Sequence, residues 1–183
     1  LLKNGAIGLA EDDELPPCGI LQKGLMLGEM GNSPILLAPR DGKIQGNGIT
    51  REGVETLRAG WLPDPLTSET LPLGQLLELY RQYPEISMRL MNISTETSVS
   101  ILTSSNQKPM SRVCWWHLIK DTASLSENDM QWRVIPSLGG QKDRLALIQG
   151  LKERTITGVA VHTIAQDEAP CHRTSRKVAA FFG

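Results

Sequence analysis

Three histidines and three cysteines are the first residues to weigh as ligands, bases or nucleophiles. His117, His162 and His172 never stand at the HxH or HExxH spacing that turns two imidazoles onto one metal. Cys18, Cys114 and Cys171 are odd in number and far apart. They predict neither a disulfide framework nor a Cys-rich zinc site, and they suit a reducing cytoplasm. Glu11 and Asp12 open an acidic run, Glu11 to Glu14, whose carboxylates could hold a cation; solvation of a charged loop accounts for the run more simply. His117 lies between Trp116 and Leu118, where a core imidazole is commoner than a ligand. His162 follows an apolar run and could serve as base or ligand. Arg40 could grip a carboxylate bidentately or simply face water. Asn92 is a poor zinc ligand, and Ser94 reads as a helix N-cap. There is no GxSxG nucleophile elbow, no GxGxxG and no GxxxxGK[ST].

The elements that must position these residues alternate between strand and helix. Short apolar runs at residues 6–10, 34–38, 86–92, 111–116 and 155–161 read as strands. The run PILLA has the continuous apolar pattern of a strand covered on both faces. Helical spacing appears after Pro17, over 73–83, from Ser94 to Leu102, over 145–151 and over 173–182. A long loop rich in glycine, with Gly42, Gly46, Gly48, Gly53 and Gly60, is expected after PILLA. Strands that alternate with helices imply parallel βα units. The nucleotide fingerprints of a doubly wound sheet are absent. The expectation is therefore an α/β partial (β/α)8 TIM barrel with about five parallel strands and helices. Active residues of such a fold collect where strands end. Glu11, Ala38, Asn92, His117 and His162 are the side chains to inspect.

Composition sets outer limits. The chain has 183 residues, 40% of them hydrophobic, and a formal net charge of −1. That is an ordinary globular composition for a single domain over 1–183. Nothing in the charge balance points to nucleic acid. No apolar run approaches the ~20 residues that cross a bilayer, so no membrane role is expected. A complete barrel takes roughly 250 residues. A chain this short, starting without Met, is expected to be truncated.

Residues 132–165, WRVIPSLGGQKDRLALIQGLKERTITGVAVHTIA, resemble the late part of dihydroorotases. There an NPPLR motif, a DRxALxxGLxxGTI helix and an IATDHAPH strand end follow one another. The resemblance continues upstream in order. NGAIGLAEDD is similar to GAxGFxDDG, PILLAPRD to a strand ending in HCED, REGVETLRAGWLPDPLTSET to NEG…LGLPGIP…AE, and RLMNISTETSV to HIxHVSTxxSV. VCWWHLIKDTASLSEND is similar to the cyanobacterial-type form of the next strand. The chain is thus identified as a degenerate, N-terminally truncated member of this family, corresponding to the second half of its barrel.

That resemblance implies a metal-dependent amidohydrolase that interconverts carbamoyl aspartate and dihydroorotate, with zinc held by histidines and carboxylates. It also implies where this chain departs. Two of the family's zinc histidines fall at Ala38 and Asn92, its late aspartate base at His162, and the Asn and Arg of NPPLR at Ile135 and Gly139. Glu11, Asp12 and His117 are what is left for a metal, and His162 for a base. The expectation is a pseudoenzyme of pyrimidine biosynthesis without a cofactor. Aspartate transcarbamoylase is the partner that the resemblance suggests, and a homo-oligomer the other. The alternative is a zinc-dependent cyclic amidohydrolase that becomes active only with residues from another chain.

Overall fold

The apolar runs fold into strands, and in chain order the elements are β1 (Leu9–Glu11), α1 (Cys18–Met26), β2 (Ile35–Leu37), α2 (Gly42–Gln45), β3 (Thr50–Arg51), α3 (Val54–Arg58), β4 (Pro63–Asp64), α4 (Thr67–Gln82), β5 (Met88–Leu90), α5 (Glu96–Ser104), β6 (Met110–Cys114), α6 (Trp116–Ile119), α7 (Gln141–Lys152) and β7 (Gly158–Ala160). This is a computed structural model, and it describes residues 5–11, 14–26, 31–126 and 132–161. Asp12, His162, Cys171, His172 and the helix expected over 173–182 lie outside the described residues.

Five strands form one parallel sheet in the order β1-β2-β5-β6-β7. Each new strand adds beside the previous one without reversing direction along the sheet. That is how a barrel wall grows, whereas a doubly wound sheet reverses its order midway. The chain is an α/β partial barrel.

One face of this sheet carries Ile35, Leu37, Met88, Leu90 and Val113, all buried. The helices place Leu25, Leu73, Leu76, Leu79, Val99, Leu102 and Leu147 against them in a single apolar cluster. A smaller cluster of Cys114, Trp116, Val134 and Leu138 closes the carboxyl ends of the central strands. Trp115 and Trp132 pack on it. Trp116 is buried, and Trp115 and Trp132 are half-buried against it.

Three expectations need correction. Residues 39–66 are not a plain loop. They hold α2, α3 and a second parallel pair, β3 with β4, registered Thr50 to Pro63 and Arg51 to Asp64. Short polar strands give no apolar run to detect, which is why the sequence hides them. Helix α4 starts at Thr67, six positions before Leu73, and includes Pro72. Proline there cannot donate to the carbonyl of Ser68, four residues back. The Asp41 N–H takes that carbonyl at 2.8 Å, so the bond lost inside the helix is replaced from outside it. Finally, the cap of α5 is Thr95, whose hydroxyl accepts from the Ser98 N–H, and not Ser94.

Candidate functional site at the carboxyl ends of the strands

Among the described residues, the strand ends that the sequence singles out lie along one edge of the parallel sheet. After β2 comes Ala38, 2% exposed, with no donor to offer. After β5 comes Asn92, in a left-handed conformation with φ 59°. Asparagine tolerates that region better than branched residues do. Its Oδ1 accepts from the Cys114 thiol at 3.0 Å. The amide therefore ties the end of β5 to the end of β6. Glu11 ends β1, and its main-chain carbonyl accepts from the Ala38 N–H at 3.1 Å.

His117, in α6, is 2% exposed. Its Nε2 meets the Ser137 carbonyl at 3.3 Å, so Nε2 carries the hydrogen. Nδ1 is then a bare acceptor, buried and without a hydrogen-bond partner. Burial lowers its pKa to about 4, against the opposing pull of the Ser137 carbonyl and Glu69. The ring is neutral at pH 7.

Arg51, at the end of β3, organises the largest polar cluster of this rim. Its NH2 donates to Glu69 Oε2 at 2.6 Å and to Ser94 Oγ at 3.0 Å. Its NH1 donates to Ser68 Oγ at 2.6 Å and lies 3.2 Å from Asp64 Oδ2. Glu69 also accepts from the Ser94 N–H, the Ser94 hydroxyl and the Thr95 hydroxyl. Burial alone would raise the Glu69 pKa; the Arg51 charge and the Ser94 donors outweigh it and hold the carboxyl ionised. Arg51, Asp64 and Glu69 are all nearly inaccessible to water.

The segment Ile135 to Gly140 is fastened from several sides. Gln45 Nε2 donates to Ser137 Oγ at 3.1 Å, and Arg40 Nε donates to Gln45 Oε1 at 2.7 Å. Arg40 is thus spent on a neighbouring amide. The Arg51 N–H bonds the Leu138 carbonyl at 2.8 Å. Asp143, in the first turn of α7, accepts from the N–H groups of Glu96 and Gly140 at 2.8 and 2.9 Å. It joins the amino ends of α5 and α7, and burial raises its pKa.

Chemically, the rim is built for rigidity. Catalytic zinc needs about three protein ligands and one open position. Among the described residues no group of three or more His, Cys, Asp or Glu side chains gathers in ligating positions. Ala38 lacks a donor, Asn92 presents its oxygen to a thiol, and His117 uses one ring nitrogen on a carbonyl. The described donor set does not fit a zinc ion. Sequence reasoning singled out Glu11 and His117 and missed the Arg51–Glu69 cluster altogether. Its only trace in the sequence is charged residues at 51 and 69 beside runs that must be buried.

No protein-family profile matches the chain. It is 31% identical to a dihydroorotase-like protein of Synechocystis sp. over 168 residues, covering 86% of this chain and 38% of that one. It is 25% identical to the dihydroorotase of Caldanaerobacter subterraneus over 182 residues, covering 97% of this chain and 41% of the other. The chain therefore spans about two fifths of the length of these curated relatives. Among solved structures, a D-hydantoinase from Bacillus sp. AR9 superposes with a TM-score of 0.71 at 12% identity, covering 92% of this chain and 40% of that one. The dihydroorotase of Campylobacter jejuni gives 0.65 at 13% identity, covering 93% and 47%. These superpositions are matches of fold, and they agree with the sheet order found above. Over the part of these relatives that it spans, the chain is similar in sequence to a dihydroorotase-like protein and to dihydroorotases, and it shares the α/β barrel-wall fold of the solved structures.

Proposed function

We propose that the chain is a dihydroorotase-like protein of pyrimidine biosynthesis that has kept the barrel wall for binding and given up hydrolysis. The observation that supports this reading is the pair Ala38 and Asn92. At the two strand ends where the family resemblance expects zinc histidines, one side chain has no donor, and the other is hydrogen-bonded to Cys114. A metal-activated water needs those ligands. The neutral His117 ring, held against Ser137, is a packing group on this reading. The role left to such a wall is recognition of another protein, for which aspartate transcarbamoylase is the candidate that the family resemblance suggests.

The test is elemental analysis of the purified chain together with a dihydroorotate hydrolysis assay on the same sample. The expected result is zinc well below one equivalent and no turnover above buffer. Stoichiometric zinc with turnover abolished by a chelator would overturn the reading and return the chain to the zinc-dependent amidohydrolases.

A further inference from the structure

The two terminal nitrogens of Arg51 face different sets of oxygens. NH1 donates to the Ser68 hydroxyl at 2.6 Å, approaches the Pro65 carbonyl at 3.4 Å and lies 3.2 Å from Asp64 Oδ2. NH2 donates to Glu69 Oε2 at 2.6 Å and to Ser94 Oγ at 3.0 Å. Each serine passes its own hydroxyl hydrogen on to a carboxylate, Ser68 to Asp64 and Ser94 to Glu69. Nε makes no hydrogen bond, so the two terminal nitrogens carry the whole contact.

These oxygens come from three pieces of chain: β4, the turn that leads into the first turn of α4, and the turn before α5. Arg51, Asp64, Ser68, Glu69 and Ser94 are all buried. The cage is therefore complete within residues 51–94. Its chemistry is that of a cation site, with two carboxylates and two hydroxyls turned toward one positive charge. Its shape is more selective than its charge. An ammonium or a metal ion presents one centre, whereas a guanidinium presents two nitrogens in a fixed plane. Only the fork meets both oxygen sets where they stand. Without it, Asp64 and Glu69 are two buried carboxylates of like sign, which destabilises a fold strongly.

We infer that Arg51 is a built-in structural cation, and that the oxygens of Asp64, Ser68, Glu69 and Ser94 form a guanidinium-selective site that locks the β3–β4 pair, α4 and the start of α5 together. The four residues of β3 and β4 add no side chain to either apolar cluster, so this pair needs a polar fastening. The main chain of the same arginine supplies a second one, from its N–H to the Leu138 carbonyl at 2.8 Å. Such a lock serves a hydrolase and a binding wall alike, and its test is separate from dihydroorotate turnover.

The experiment cuts the side chain back and returns its head group in solution. Urea unfolding is followed by circular dichroism for the native chain, Arg51→Ala and Arg51→Lys, each with millimolar ethylguanidinium or ethylammonium at equal ionic strength. Arg51→Ala is expected to unfold at lower urea, and ethylguanidinium to raise its midpoint progressively with concentration. At about ten times its dissociation constant it raises the folding equilibrium constant about tenfold. Ethylammonium is expected to leave Arg51→Ala unchanged, and neither cation to stabilise the native chain. Arg51→Lys is expected to be less stable than the native chain although it keeps the charge. If Arg51→Ala does not fold alone, the same titration reads the return of its helical signal. Absence of rescue by ethylguanidinium overturns the inference. So does equal rescue by ethylammonium, which would make any small cation sufficient. Native stability in Arg51→Lys or Arg51→Ala overturns it as well, because the fold would then have no need of the fork.

Discussion

His117 shows how a residue suited to catalysis becomes a structural one. A base needs a pKa near the working pH and access to a proton. Burial takes both away: the ring titrates near pH 4, and Nε2 is spent on the Ser137 carbonyl. The depressed pKa has a consequence for stability. The unfolded chain takes up a proton near pH 6.5, while the folded chain resists until about 4. Stability linked to His117 is therefore complete above pH 6.5 and is lost as pH falls toward 4, by about 3 kcal/mol in all. Urea unfolding at pH 7, 5.5 and 4.5 checks this. The fall is expected in the native chain and expected to shrink in His117→Gln; equal pH profiles would remove His117 from the account. The sequence placed His117 beside aromatics and favoured a core role for it. It gave no sign of Arg51, because a lone arginine in a polar stretch looks solvated until Glu69, Asp64 and Ser94 are folded around it.

The elements legible in the sequence are those that carry an apolar pattern of their own. Helix α7 and strands β2, β5 and β6 carry apolar side chains at fixed intervals, and those intervals are visible in one dimension. The β3–β4 pair has no such pattern, since its four residues include Thr50, Arg51 and Asp64, and its pairing is set by contacts distant in sequence. Gly48 shows what that pairing requires. A Cβ at this position would come within 2.6 Å of the Asp64 Cα, closer than real side chains approach backbone. Gly48→Ala must push β4 outward and disturb Asp64 where it meets Arg51 and Ser68. The expected loss is about 2 kcal/mol, as for other overpacked sites. A shift of the urea midpoint measures it, and a change under 0.5 kcal/mol would mean that β4 yields freely. The Ser94 cap assigned from sequence failed for a related reason. Ser94 and Thr95 are both good caps and both donate to Glu69, but the Ser94 oxygen accepts from Arg51, which leaves the Thr95 oxygen to accept from the Ser98 N–H and start α5.

At the scale of the whole molecule, strand alternation with helices was enough to anticipate a parallel sheet, and the absence of nucleotide fingerprints was enough to choose a barrel wall. The sequence did not announce that the two faces of that wall would differ. Leu36, Arg89 and Arg112 become neighbours only through register. The difference predicts a cost in stability. Half-burying the Arg112 guanidinium, with its Nε unpartnered and one nitrogen turned to a thioether, costs desolvation free energy that the fold does not recover. Methionine has a similar reach, needs no hydrogen bonds and packs adaptably. Arg112→Met is therefore expected to stabilise the chain by about 1 kcal/mol. Urea unfolding of the variant beside the native chain measures the effect. A variant that is less stable than the native chain would mean that Arg112 serves the fold. A stabilised variant would mean that the sheet holds this half-buried charge against its own stability.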